Sequence, residues 1–159
     1  HQVARGEDGL HMRLAARVAI GLHFIVQGQP VAKARARSTR SGRHYTPEKT
    51  VNFEKHVAYC ATGALAGLPK EKKKFDGPVQ VRIECFMTIP ASWSKKKKAQ
   101  ALSGDLLPVV KPDLDNIAKS CLDAINGLVF VDDSQVCELS MFKKYSDSPR
   151  TQITVTGAA

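Results

Sequence analysis

The sequence predicts a small α/β (mixed α+β) domain, a mixed β-sheet packed with two main helices, and three observations carry that prediction. Val79, Val81, Ile83, Cys85, Met87 and Ile89 alternate with more polar residues without a break, the period of a half-buried strand. Leu114, Ile117, Ala118, Cys121, Leu122 and Ile125 recur at the spacing of one helical face. The chain has 159 residues, with 43% hydrophobic and 25% charged, the length and make-up of one globular domain.

The elements follow in order. Residues 1–11 read as upstream or vector-derived sequence, because the chain opens with His1 and a methionine first occurs at Met12; the domain is expected over 12–159. His23 to Val26 reads as a short strand stopped by Gly28 and Pro30. Lys33 to Tyr45 is arginine-rich and broken by Ser and Gly, hence a cationic loop. Thr46 as cap and Pro47 at the first helical position start a helix to about Leu65, with Val51, Phe53, Val57, Cys60, Ala61 and Leu65 on its buried side. After the Pro78–Ile89 strand, Ser92 or Ser94 caps a short lysine-rich helix ended by Gly104. Pro112 fences the start of the second long helix and Gly127 ends it. Leu128 to Val131 is expected to be extended, followed by strands over Ser134–Phe142 and Thr151–Thr156.

Lysine and arginine number 24 against 15 acids, a formal net charge of +9. More than half of the cations crowd into Lys33–Arg43, Lys70–Lys74 and Lys95–Lys98, which favours a positive face for nucleic acid over an even scatter. The expected DNA contacts are Lys33, Arg35, Arg37, Arg40, Arg43, Lys95, Lys96, Lys97, Lys98 and Lys111. No apolar run reaches the length of a membrane span, so no membrane partner is expected. Cys60, Cys85, Cys121 and Cys137 lack paired spacing, which argues against zinc and for reduced thiols in a cytoplasmic setting.

Chemistry points to the acidic residues around the second helix. Asp113 and Asp115 flank Leu114 at its mouth, and one of them taken singly reads equally well as a capping residue. Lys119 lies four residues after Asp115 on the same face, a spacing that also suits an ordinary surface ion pair. Asp132 and Asp133 come after the helix. A helix of roughly 20 Å and an extended return of about 20 Å bring Asp133 back beside Asp113 and Asp115. Three carboxylates so gathered repel unless a hard cation joins them, which suits Mg²⁺ or Mn²⁺. Such a cation in a basic protein, with Lys119 steadying phosphoryl charge, points to phosphodiester hydrolysis.

The same residues resemble a known family, the RusA-type Holliday-junction resolvases of phages and prophages. The resemblance rests on Lys111-Pro112-Asp113-Leu114-Asp115-Asn116-Ile117-Ala118-Lys119, on Leu122-Asp123-Ala124-Ile125-Asn126-Gly127 and on Val131-Asp132-Asp133-Ser134-Gln135-Val136. Upstream it includes Gly28-Gln29-Pro30-Val31-Ala32-Lys33, Tyr45-Thr46-Pro47 and Ser92 to Lys98. It implies a homodimeric, Mg²⁺-dependent crossover junction endodeoxyribonuclease that makes paired nicks in four-way DNA during recombination and repair. It places the acidic metal triad on Asp113, Asp115 and Asp133 and the catalytic lysine on Lys119, with Asp132 and Asn116 as secondary members. Two alternatives stay open: a non-catalytic basic nucleic-acid-binding protein, and a metal nuclease acting on flaps or forks.

Overall fold

The computed structural model describes residues 21–70 and 74–158. The expectations for residues 1–11 and for Glu71, Lys72 and Lys73 lie outside them. The described residues form a small α+β domain: a four-stranded mixed sheet with three helices, and a separate two-stranded hairpin. Strand β1 (Gly21–Gln27) is followed by the short strands β2 (Arg37–Ser38) and β3 (His44–Tyr45), then helix α1 (Glu48–Ala66) and strand β4 (Val79–Thr88). Helices α2 (Lys95–Ser103) and α3 (Leu114–Ile125) lead to β5 (Val136–Ser146) and β6 (Arg150–Gly157). In space the sheet runs β1-β6-β4-β5, with β6 antiparallel to both neighbours and β5 parallel to β4.

The period-two patterns explain the layering. Leu22, Phe24 and Val26 of β1, Val79 to Cys85 of β4 at alternate positions, and Ile153 and Val155 of β6 turn to one face. There they meet Phe53, Val57, Ala61 and Leu65 of α1 and Ile117, Cys121 and Ile125 of α3, all buried. Burying such side chains is worth ~1.5–3 kcal/mol each, which fixes the register of the whole layer. Strand β5 lies at the sheet edge with no fully buried residue.

Several local expectations need correction. Helix α1 starts at Glu48, with extended Pro47 in the cap position and no side-chain cap, so Thr46 does not cap it. The carbonyl of Pro47 takes up the amides of Thr50 and Val51 instead. The arginine-rich segment is partly ordered as the β2–β3 hairpin, with Gly42 in its turn at φ 79°. Helix α2 is as expected, with Ser94 accepting the Lys97 amide and Gly104 left-handed at φ 85°. Leu128 to Val131 is not extended: the amides of Leu128 and Val129 fold back onto the Ile125 carbonyl. Burial of Val129 and Phe130 forces this turn, and the Phe75 amide closes over it onto the Val129 carbonyl. Ser134 belongs to a 3₁₀ turn (Asp133–Gln135) that precedes β5.

Candidate active site

The arm between β1 and the hairpin lies across both main helices. The Lys33 amide donates to the Asn116 carbonyl at 2.8 Å, and Ser120 Oγ donates to the Val31 carbonyl at 2.7 Å. Thr50 Oγ1 on α1 accepts the Ala34 amide at 3.2 Å. Gln29 Oε1 accepts from both the amide and the hydroxyl of Thr88, tying the arm to the end of β4. A cleft of about 590 Å³ opens where this arm passes the start of α3. Arg37, Lys49 and Lys111 give it positive charge, Asp113 and Asn116 sit in its wall, and Val31 and Pro47 form apolar surface.

Asp113 occupies the cap position of α3 in an extended conformation, yet its side chain makes no cap hydrogen bond. Its carbonyl receives the Ile117 amide, so the backbone starts the helix and leaves the exposed carboxylate at the cleft. Asp115 is exposed in the first turn. Among the described residues neither carboxylate has a hydrogen bond or ion pair. Lys119 is exposed and pairs with Asp123 at 3.9 Å, one turn further on, not with Asp115.

The other two acids differ from one another. Asp132 caps the 3₁₀ turn: its carboxylate accepts the Ser134 amide at 3.2 Å while Gln135 Oε1 accepts the Asp132 amide at 2.9 Å. The hydrogen bonds from Ser134 hold its carboxyl below the usual range. Gln135 also donates to the carbonyls of Phe75 and Gly77, which pins the turn beneath β4. Asp133, its neighbour, is exposed and has no such partner among the described residues.

The expected gathering of Asp113, Asp115 and Asp133 in one chain is not met. Asp133 precedes Val136, which pairs with Val79 at the start of β4, whereas Lys143 pairs with Cys85. From Val136 to Lys143 the strand advances about 23 Å. Lys143 Nζ contacts the carbonyls of Val110 and Pro112 just before Asp113. Helix α3, with 12 residues or about 18 Å, thus separates the two carboxylates. The turn at Gly127–Phe130 replaces the extended return, and β5 itself makes the journey back. Among the described residues no three His, Cys, Asp or Glu side chains stand close enough to hold one metal ion.

The cationic predictions also divide. Lys33 is not a free DNA contact: its side chain is 21% exposed, hydrogen-bonded to Glu54 and 3.2 Å from Asp123. Burial opposes its charge, but the bonds to Glu54 and Asp123 outweigh that and raise its pKa. Arg35, Arg37, Arg40, Arg43, Lys95, Lys96, Lys98 and Lys111 have no carboxylate partner among the described residues. Lys97 lies over the Trp93 ring at 4.0 Å, and Trp93 packs edge-on to Tyr145, so the tryptophan anchors α2 to β5.

Sequence reasoning missed Lys49, gave Asp123 no role of its own and left Lys143 and Lys144 ambiguous. The signal for Lys143 was present: in β5 it shares the helix-side register of Leu139, Met141 and Tyr145, an unexpected place for a cation.

Comparison with known proteins places the chain in a family. The family model described as endodeoxyribonuclease RusA matches residues 27–156, which contain every site residue discussed above. The chain is also 37% identical over 139 residues to protein YqaN of Bacillus subtilis (strain 168), covering 84% of this chain and 94% of that relative. Matched by that model over most of its length, the chain belongs to the RusA endodeoxyribonuclease family, a family of nucleases.

Proposed function

We propose that this nuclease resolves four-way DNA junctions by paired, Mg²⁺-dependent nicks, acting as a homodimer in recombination and repair. The observation that supports it best is Asp113, a carboxylate at a helix start that is not engaged as a cap and opens onto a cleft rimmed by Arg37, Lys49 and Lys111. A purely structural aspartate there would cap the first turn, as Asp132 caps its own.

The donor chemistry fits Mg²⁺, with Mn²⁺ as substitute: hard carboxylate oxygens, completed by water and phosphate oxygens and needing one or two acidic side chains. Asp113 and Asp115 would hold it from one chain. When bound, the ion polarises the phosphodiester and lowers the pKa of water. Arg37, Lys49 and Lys111 neutralise flanking phosphates and so hold the strand along the cleft. Lys119, one turn along α3 from Asp115, offers its ammonium to the charge that develops on the phosphoryl oxygens.

Asp133 stands at the far end of α3 in its own chain, so its part in the same site falls to a second copy. A two-fold dimer supplies this symmetrically and creates the two sites that paired nicks require. The test uses a synthetic four-way junction. Asp113→Asn and Asp133→Asn should each bind the junction and fail to nick it. When the two variants are co-refolded, the mixed dimer carries one site with both aspartates intact, and single nicks should return. Full nicking by Asp113→Asn alone would refute the active-site assignment; no recovery on mixing would refute the shared site.

A further inference from the structure

We propose that Lys143 is a positioning residue for Asp113, a role that rests on the reading of Asp113 as the metal-binding carboxylate. Lys143 sits on the helix-side face of the edge strand, in register with buried Cys85. Its ammonium donates to the carbonyl of Val110 at 2.8 Å and of Pro112 at 3.0 Å. The Pro112 carbonyl belongs to the peptide group that carries the Asp113 amide. These two carbonyls flank the cis peptide between Lys111 and Pro112.

The segment needs such a hold. Val109 and Val110 are 91% and 64% exposed, and Leu107 is 50% exposed, so apolar burial anchors little of it beyond Pro108. Between Leu106, whose amide reaches Gln100, and Asp113, whose carbonyl takes up Ile117, the segment is held among the described residues by the hydrogen bonds from Lys143. The acceptors are neutral carbonyls, and no carboxylate pairs with Lys143 among the described residues. Lysine here bonds backbone oxygen in two places, which fixes the direction in which the chain enters α3. The Asp113 carboxylate and the Lys111 side of the cleft are set by that direction.

Lys144 provides the internal comparison. It is one residue along the same strand, points to the opposite face and lies over the Phe142 ring at 4.6 Å. Lys143→Met, Lys143→Arg and Lys144→Met should be compared with the unaltered chain by hydrogen–deuterium exchange and by single-turnover nicking, with junction affinity measured separately without metal. In Lys143→Met, exchange across 106–113 should rise several-fold while β4 and β6 keep their protection. Nicking should slow about 10- to 100-fold, the scale of a small misplacement of a reacting group, with affinity within about two-fold. Lys143→Arg should recover most of the rate, and Lys144→Met should change neither readout. If Lys143→Met does not fold, Lys143→Gln, with a shorter donor, must show the same direction of change. Unchanged exchange, or a loss of affinity as large as the loss of rate, would overturn the proposal. If the unaltered chain leaves junctions uncut, the nuclease reading fails, whereas exchange still decides whether Lys143 holds the segment.

Discussion

Replacing Lys33 by methionine separates a structural lysine from a DNA-binding one. Lys33 lies between Glu54 on α1 and Asp123 on α3, so the variant removes the ammonium that joins two half-buried carboxylates and leaves Asp123 only the longer contact to exposed Lys119. Exposed ion pairs contribute under ~1 kcal/mol, and breaking a fully buried one costs about 3–5 kcal/mol. At 21% side-chain exposure the site falls between, near ~2 kcal/mol. For a chain of this size that lowers the melting temperature by about 4–8 °C. The assay pairs calorimetry with junction affinity measured across a salt series. Lys33→Met should melt early but keep the slope of affinity against salt, because no phosphate contact is lost. Arg37→Ala should do the opposite, keeping its melting temperature while the slope of log affinity against log salt becomes shallower by roughly 0.9, one phosphate contact's share. An unchanged melting temperature in Lys33→Met together with a reduced salt slope would refute this account of the helix pair.

Two further outcomes follow from burial. Cys85 is held up to about 12 and Cys121 is pushed strongly upward, burial being the main cause in both. The unfolded thiols lose their protons near pH 9 while the folded ones keep them, so stability should fall above that pH, approaching about 1.4 kcal/mol per pH unit for each thiol. Urea melts at pH 8 and 10 check this, and a Cys85→Ala variant should show a shallower fall; Lys33, with its raised pKa, keeps its ion pair through the first part of that range. Phe130 is fully buried where the chain turns beneath Phe75, so Phe130→Ala should cost about 3–5 kcal/mol in the same melts.

The elements were legible because their signals are local. Alternation in β4, the single apolar face of α3, Ser94 before α2 and Gly104 after it each follow from backbone geometry and short-range sterics. The N-terminus of α1 was misplaced by one position because Pro47 itself takes the extended cap conformation. The return after α3 was misread for a different reason: Val129 and Phe130 are apolar enough for a strand, but the core directly beneath them draws both inward and bends the chain.

The candidate site divides along the same line. The sequence by itself determined the chemistry: which carboxylates, lysines and arginines exist, that Asp113 and Asp115 open a helix, and that the family motifs surround them. Only the tertiary structure decided the company each one keeps. It set Asp133 at the other end of α3, engaged Asp132 as a cap, paired Lys33 with carboxylates of two helices and turned Lys143 toward the segment before Asp113. Spacing along a chain fixes what one helix or strand presents, whereas partners across elements depend on how the sheet orders its strands, and here β5 pairs with β4 only after α3 has carried the chain back.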